Sequence, residues 1–172
     1  MRCAYHVDYF VPLPPSHPSP MAKYPLLHER LRSTGLLRDA DLIEPAEATL
    51  DDLRLVHTDA YLGQLANGTL DAAAVRRIGV PWSTALWRRS RLAAQGTLVA
   101  ARVALEDGLA ANLAGGTHHA FPGHGEGFCV LNDVAVAIRV LQRHRLLRRA
   151  LVIDLDVHQG NGTAAIFADD PD

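Results

Sequence analysis

Two aspartates and a histidine stand at alternating positions near the end of this chain. Asp154, Asp156 and His158 are spaced i, i+2, i+4, so an extended backbone would point all three to the same side. An apolar run at 151–153 precedes them and a Gly-Asn-Gly sequence at 160–162 follows, which is typical of a buried parallel strand that ends in a tight loop. Because unpaired charge is costly to bury, these groups need a cation or a hydrogen-bonded imidazole network as a partner.

A metal ion is the first such partner to consider. Asp156 and His158 offer the oxygen and nitrogen ligands that suit Zn²⁺ or Fe²⁺. A catalytic zinc site normally has three protein ligands and one open position, so a third ligand has to come from elsewhere. Water bound to such a metal becomes a nucleophile near neutral pH, and it needs a base.

The pair His118 and His119 is a candidate for that base, with Asp154 and Asn161 as the groups that orient the rings. The sequence Gly-Phe-Cys at 127–129 forms a third cluster, before a helix. Its cysteine is predicted to be a small buried apolar residue rather than a nucleophile.

Hydrophobic patterning indicates which elements position these clusters. It predicts helices over 91–107 and 130–147 and strands over 111–114 and 150–155. The alternation of strand and helix indicates an α/β fold with an open parallel sheet. The glycine-rich loops 115–128 and 156–162 both follow strands, and ligands bind outside the carboxyl ends of such strands. We therefore expect the two loops to meet at one edge of the sheet.

The bulk properties exclude several classes of protein. The chain has 172 residues, 48% of them apolar, and a net charge of -2, which gives no sign of a nucleic-acid or acidic-membrane partner. Cys3 and Cys129 form no disulfide framework, so a cytoplasmic location is expected. No stretch has the apolar length of a membrane span. His17, in a proline-rich stretch, is either a loop histidine or a residue at the rim of the site.

A second function class fits part of the pattern. Asp-x-Asp after an apolar strand also opens the site of haloacid-dehalogenase-like, magnesium-dependent phosphohydrolases, in which the first Asp is the nucleophile. In those enzymes the motif usually lies near the N-terminus, whereas here it begins at Asp154.

The clusters together resemble those of the histone deacetylase superfamily. The matching segments are Gly-Thr-His-His-Ala at 116–120, Gly-Phe-Cys-Val-Leu-Asn-Asp at 127–133 and Asp-Leu-Asp-Val-His-Gln-Gly-Asn-Gly-Thr at 154–163. With Pro-Ser-Pro-Met-Ala-Lys-Tyr at 18–24, they look most like bacterial deacetylase-like proteins and the class IV branch. The resemblance covers nearly the whole chain and is densest from 111 to 168.

The resemblance implies an arginase/deacetylase fold, an α/β three-layer sandwich around an open parallel sheet. It implies zinc-dependent hydrolysis of an acetyl amide, either an acetyl-lysine side chain or a small acetylated amine such as a polyamine. By match, Asp156 and His158 look like metal ligands. His119 looks like the general base, and His118 looks like its electrostatic partner and later the acid.

Three further positions follow from the resemblance. Asp154 resembles the carboxylate behind His118 and a contributor to a structural K⁺ site. Gly127 and Phe128 resemble the walls of the acyl-lysine tunnel. Asn161 stands where many members have Asp, a departure that is common in the class II and IV branches and that should weaken the basicity of His119.

The resemblance also implies that residues 1–172 are an incomplete catalytic domain, apparently truncated at its C-terminus. In the family the third metal ligand and the tyrosine that polarises the substrate carbonyl both come later than the motif at 154–163. Removing one such stabilising donor typically costs ~10²–10³ in rate. We expect this chain alone to be poorly active and aggregation-prone, with an exposed sheet edge. A catalytically incomplete fragment or partner-binding module is the competing interpretation.

Overall fold

A three-stranded parallel sheet lies at the centre of the fold. The computed structural model describes residues 1–170. Strands β1 (Arg2–Ala4), β2 (Leu42–Ile43) and β3 (Ala110–Asn112) are arranged in the order β2-β1-β3. Cys3 of β1 is in register with Leu42 of β2 and with Ala111 of β3. The sheet is therefore the predicted parallel one, although its strands are short.

Helices cover the sheet and build the core. They are α1 (Lys23–Ser33), α2 (Leu50–Leu53), α3 (Asp59–Asn67), α4 (Ala72–Ile78), α5 (Thr84–Asp107), α6 (Asp133–Arg143) and α7 (Asn161–Ile166), with 3₁₀ turns at Val7–Tyr9 and Asp39–Asp41. The main core lies between α3, α5 and α6, where Leu65, Leu98 and Val140 are buried. No helix within residues 1–170 has the length and apolarity needed to cross a membrane.

The longest helix, α5, begins seven residues before the predicted start at 91. The Oγ atom of Ser83 accepts a hydrogen bond from the backbone N–H of Leu86 at 3.0 Å and caps the first turn. Gly108, at φ 82°, ends the helix in the left-handed conformation, as the sequence predicts. The helix packs against both β3 and α6, and it thereby connects the sheet to the second half of the chain.

The helix predicted over 130–147 is shorter, because its cap lies inside that range. The Oδ1 atom of Asn132 accepts from the backbone N–H of Ala135 at 3.0 Å, and α6 starts at Asp133. Val136, Val140 and Leu141 are buried against the core. The apolar pattern predicts that Val134 and Ile138 face inward together with Leu141, but these two side chains are only partly buried.

The strand predicted over 150–155 does not form within the described residues. Strand geometry requires a hydrogen-bonded neighbour, and no sheet of residues 1–170 includes this stretch. Leu151, Ile153, Leu155 and Val157 are instead exposed by 84%, 72%, 91% and 92%. An apolar, unpaired stretch therefore lies directly beside the polar residues of interest.

We expect residues 1–172, prepared alone, to self-associate through this stretch. An extended apolar segment without a neighbour is a template for edge-to-edge pairing. Leu155→Lys should lower the apparent mass at high concentration, measured by light scattering, because a charge blocks such pairing. Leu26→Lys, at an exposed leucine of α1, is the matched control. A monomeric parent chain, or an equal effect of both substitutions, would contradict this prediction.

Candidate active site

The histidine pair is anchored to the core by the residue that precedes it. Thr117 donates from its backbone N–H and from its hydroxyl to Oδ1 of Asp133, at 2.8 and 2.6 Å. The other oxygen of Asp133 accepts from the hydroxyl of Thr97 on α5. Asp133 is buried in the first turn of α6, where a carboxylate is favoured by the helix dipole. The first turn of α6 thus fixes the position of the loop segment that carries His118 and His119.

His118 contacts the first of the three alternating residues. Its Nδ1 lies 2.6 Å from Oδ2 of Asp154, so Nδ1 carries the proton and donates it to the carboxylate. This hydrogen bond is the main cause that lowers the pKa of Asp154, and the backbone N–H of Asp156 adds to it from 3.0 Å. Nε2 of His118 faces Asp156, whose Oδ1 is 4.0 Å away.

His119 has an amide partner instead of a carboxylate. Its Nδ1 lies 2.6 Å from Oδ1 of Asn161, and the Asn161 amide in turn donates to Oε1 of Glu126 at 3.1 Å. The rings of His118 and His119 have their centroids 4.2 Å apart. The sequence predicts both pairs, His118 with Asp154 and His119 with Asn161, whereas Glu126 was not predicted.

Asp156 and His158 lie next to each other in front of this pair. Nδ1 of His158 is 2.9 Å from Oδ1 of Asp156, which also accepts from the backbone N–H of His158 at 2.7 Å. The hydrogen bonds from the backbone and then the ring of His158 lower the pKa of Asp156. One oxygen and one nitrogen that could act as metal ligands therefore lie side by side. Within residues 1–170, no group of three His, Cys, Asp or Glu side chains is placed to hold a metal ion.

Two glycines of the Gly-Asn-Gly sequence let the backbone come close to the histidines. A Cβ on Gly162 would lie 2.4 Å from the carbonyl oxygen of Ala120, and one on Gly160 would lie 2.6 Å from Oδ2 of Asp154. The backbone N–H of Thr163 donates to the carbonyl of His118 at 3.0 Å. This close approach brings Asn161, at the start of α7, within hydrogen-bond distance of Nδ1 of His119.

The predicted tunnel residues line the same cavity as the histidines. A cavity of about 300 Å³ is bordered by His118, His119, Gly127, Phe128, Asp156 and His158, and on its other side by residues of the 19–24 segment and Arg89. Gly127 has φ 55°, and a Cβ there would lie 2.7 Å from Cδ2 of His119. Only glycine leaves room for that ring.

Phe128 is held at the cavity by residues that are distant in sequence. It has φ 67°, a conformation that is unusual for an aromatic residue, and its N–H donates to the carbonyl of Ile78 at 2.7 Å. His17 lies 2.8 Å from the carbonyl oxygen of Gly79, and its ring centroid is 5.7 Å from that of Phe128. His17 thus contacts a residue that borders the cavity, and its own place at the rim stays a prediction.

Arg89 also lines the cavity, although no sequence pattern predicts it there. Its side chain is buried, donates to the carbonyls of Tyr9 and Ala114 at 3.0 and 3.3 Å, and lies 4.8 Å from the ring centroid of Tyr24. Helical periodicity places an arginine on the surface by default, so no pattern in the sequence indicates this burial.

The remaining histidines and acidic residues lie outside the cluster. His124 stacks on Phe121, with its Nε2 3.7 Å from Glu126. His28 stacks on Tyr5 and His144 lies beside Arg102 on the surface. Asp170 pairs with Arg139, and Asp172 lies outside the described residues.

Cys129 is buried, as predicted, and burial raises the pKa of its thiol to about 11. The nucleophile is a thiolate rather than a thiol, so this side chain is inert near neutral pH.

His57 is a core histidine that supports the loop of the site. It donates from Nδ1 to the carbonyl of Phe121 at 3.1 Å, and its Nε2 accepts from the backbone N–H of Asn132 at 3.0 Å. Burial lowers its pKa from 6.5 to about 4. His57 thus stays neutral in the folded chain near neutral pH and joins the loop before His124 to the cap of α6.

We expect this burial to make the fold sensitive to acid. Below pH 6.5 the unfolded chain takes up a proton at His57 that the folded chain refuses until about pH 4. Stability is therefore lost as the pH falls through this window, by ~3 kcal/mol at its lower end. His57→Gln should reduce the difference between urea unfolding at pH 7 and pH 5. His144→Gln should leave that difference unchanged, and equal effects of the two would refute the assignment.

Comparison with known sequences agrees with the motifs. The family model of the histone deacetylase domain matches residues 17–172. An uncharacterised protein of Picosynechococcus is 50% identical over 167 residues, 97% of this chain and 56% of that protein. The acetoin utilization protein AcuC of Bacillus subtilis is 36% identical over a match that covers 91% of this chain and 43% of the length of AcuC. Histone deacetylase 2 of Arabidopsis thaliana is 34% identical, over 90% and 41%.

Comparison with solved structures agrees with the fold. The crystal structure of an HDAC homolog complexed with SAHA matches with a TM-score of 0.83 and 31% identity. The match covers 96% of this chain and 47% of the chain of the homolog. An HDAC homolog from Aquifex aeolicus has a TM-score of 0.81, 30% identity and the same coverage. The chain thus has the predicted fold, and it spans about half the length of the relatives it matches.

Proposed function

Because the chain belongs to the histone deacetylase family, we propose that it forms the N-terminal part of the catalytic domain of a metal-dependent deacetylase. The substrate would be an acetyl-lysine side chain or a small acetylated amine. One observation carries the proposal. Two adjacent imidazoles, each bonded through Nδ1 to a side-chain oxygen at 2.6 Å, lie beside the pair formed by Asp156 and His158.

The two histidines have different environments, which supports different roles. His119 donates from Nδ1 to a neutral amide oxygen, so its Nε2 is left as a proton acceptor and suits a general base. His118 donates from Nδ1 to the carboxylate of Asp154 instead, so its ring is oriented by a charged partner, and this difference suits it to the role of the acid. His119 would take the proton from the attacking water, and His118 would give one to the leaving amine.

Asp156 and His158 would hold the metal. Their carboxylate oxygen and imidazole nitrogen are donors that zinc accepts, and Fe²⁺ is also compatible. When bound, the metal would lower the pKa of its water and polarise the acetyl carbonyl. Two donors are fewer than a catalytic site needs, and residues 1–170 place no third one there. A structural K⁺ near Asp154 stays a prediction from the family resemblance.

Tyr9 and Tyr61 do not supply the carbonyl-polarising hydroxyl, and none of the four tyrosines matches the one of the family, which comes later than the motif at 154–163. Tyr9 donates to Oδ1 of Asn112 at 2.9 Å and Tyr61 donates to the carbonyl of Val130 at 2.8 Å, so both hydroxyls serve the core. Burial raises the pKa of both. Tyr24 packs its ring against Arg89. We therefore expect low activity from residues 1–172 alone, because such a donor typically contributes ~10²–10³ in rate.

The geometry disfavours the phosphohydrolase interpretation. Asp154 is oriented towards an imidazole rather than left to attack a substrate, because its Oδ2 accepts from His118 while its Oδ1 accepts from the backbone N–H of Asp156. The cavity is bordered by Phe128 and Met21 as well as by the histidines, which suits an acyl chain better than a phosphate. A cytoplasmic location and the absence of direct nucleic-acid binding are part of the same proposal.

A comparison of substrates tests this function. The complete gene product, loaded with Zn²⁺, would be assayed on an acetyl-lysine peptide, on an acetylated polyamine and, with Mg²⁺, on an aryl phosphate. We expect acetate release from one or both of the first two, and inhibition by SAHA. Phosphate release, or no acetate release from either amide by folded and metal-loaded protein, would contradict the proposal. The second result would favour a non-catalytic binding module.

A further inference from the structure

Glu126 stands behind the amide that contacts the candidate base. Its Oε1 accepts from the side-chain N–H of Asn161 at 3.1 Å, while Oδ1 of Asn161 lies 2.6 Å from Nδ1 of His119. The three side chains form one line of hydrogen bonds that starts in the 115–128 loop, crosses the start of α7 and returns to the loop.

The chemistry of the three groups allows only one arrangement of protons. A carboxylate only accepts hydrogen bonds, so the NH₂ group of Asn161 has to face Glu126. The carbonyl of Asn161 then has to face His119, and Nδ1 of His119 has to carry the proton. Without Glu126 the amide of Asn161 could turn over, because its two ends have nearly the same shape. Nε2 of His119 would then become the protonated nitrogen.

The backbone of Glu126 is fixed by a reciprocal pair of hydrogen bonds. The backbone N–H of Glu126 donates to the carbonyl of Cys129 at 3.0 Å, and the N–H of Cys129 donates back at 2.8 Å. A Cβ on the preceding Gly125 would lie 2.6 Å from that same Cys129 carbonyl. The second oxygen of Glu126 is 3.7 Å from Nε2 of His124. Glu126 is thus fixed at its backbone, and the oxygen that does not contact Asn161 lies near a histidine.

We propose that Glu126 is a positioning residue that sets the tautomer of His119 through Asn161. It keeps the proton on Nδ1 and leaves the lone pair on Nε2, which faces the cavity. An Asp at position 161 would fix the tautomer without help, because it too only accepts. Asn161 needs a neighbouring acceptor to do the same, and Glu126 is that acceptor. The consequence for catalysis rests on the proposed function, whereas the tautomer itself does not.

Nitrogen NMR of the metal-free, ¹⁵N-histidine-labelled complete gene product tests this role without an activity assay. At pH 8.5 an ordinary histidine is neutral, and the His119 signals are assigned by their loss in His119→Asn. We expect a protonated Nδ1 in the parent protein. In Glu126→Gln and Glu126→Ala, a signal from protonated Nε2 should appear, because the amide of Asn161 is free to turn. Glu29→Gln, on the exposed side of α1, is the matched control.

A double variant that also changes Asn161 makes the test specific. In Asn161→Asp the acceptor at position 161 no longer depends on its orientation, so adding Glu126→Gln should leave Nδ1 of His119 protonated. If the tautomer of His119 is the same in the parent, Glu126→Gln and Glu126→Ala, the proposal is overturned. It is equally overturned if the shift persists unchanged in the Asn161→Asp background.

Kinetics separate this role from the proposed function. If the protein is a deacetylase, Glu126→Gln should lower kcat by ~10–100-fold, the usual cost of losing a group that orients a functional side chain, with KM little changed. A tautomer shift in a protein that releases no acetate would refute the proposed function and leave the role of Glu126 intact.

Discussion

Replacing His119 with alanine is expected to lower deacetylation by the complete gene product by ~10²–10⁴-fold, the usual contribution of a general base. The effect should fall on kcat, because a general base acts in the chemical step, and His119 borders the cavity while its Nδ1 is bonded to Asn161. Steady-state kinetics on an acetyl-lysine peptide, at saturating Zn²⁺, measure the change.

The control for this prediction is His144→Ala, at an exposed histidine beside Arg102 on the far end of α6. That variant should retain the parent rate. Retention of more than about a tenth of the parent kcat by His119→Ala would be incompatible with a general base at this position.

Replacing His158 with alanine is expected to remove metal binding. Mutation of a side chain that only orients a metal ligand typically lowers metal affinity by ~10–100-fold. Because His158 would be a ligand itself, its loss should weaken Zn²⁺ binding by ~100-fold or more. The ring of His158 is largely exposed and contacts Asp156 at 2.9 Å, so its loss should leave the fold intact. Competition titration with a zinc chelator gives the affinity, and circular dichroism checks the fold.

Asp156→Asn provides the internal comparison for the metal site. It keeps the size of the side chain and an oxygen, but removes the charge, so its affinity should fall between those of the parent and His158→Ala. Zinc affinity that is unchanged in both variants would place the metal elsewhere in the protein.

Part of the site was predictable from local spacing, whereas the pairs of His118 with Asp154 and of His119 with Asn161, 36 and 42 residues apart, followed from the family resemblance. Alternation alone indicates that Asp154, Asp156 and His158 share a side, and the structure turns all three towards the histidine pair. Thr58 caps α3 and Gly108 ends α5, as their residue types predict. These features depend on backbone geometry within a few residues.

The strand over 150–155 was predicted wrongly because strands depend on distant partners. Periodicity reports which side chains could share a face, but pairing is decided by a neighbouring strand. Within residues 1–170 the sheet ends at β3 on one side and β2 on the other. The apolar side chains that produced the strand prediction, such as Leu155, are left exposed.

The unpredicted parts of the site come from contacts between segments far apart in sequence. Glu126 and Asn161 are 35 residues apart, and both lie in loops or at a helix start, where no periodicity relates them. Arg89 is buried by carbonyls at Tyr9 and Ala114 rather than by an acidic partner. Such contacts follow from the packing of the backbone, which the sequence pattern does not specify.

The prediction that Asn161 weakens the basicity of His119 stays a prediction, but the structure refines its physical basis. A neutral amide contributes less to stabilising a charged imidazole than a carboxylate does. Here the carboxylate of Glu126 lies one hydrogen bond further away. The arrangement therefore keeps the direction of the hydrogen bonds while it moves the negative charge away from the ring.

Metal-dependent acetate release by the site of His119, Asp156 and His158 is the central prediction for this protein. The decisive measurement is the rate of acetate release from an acetyl-lysine peptide by the complete gene product, first stripped of metal and then titrated with Zn²⁺. We predict no release after stripping and full recovery at one zinc per chain, with no recovery in His158→Ala. Release that survives metal removal, or that zinc restores equally in His158→Ala, would contradict the account.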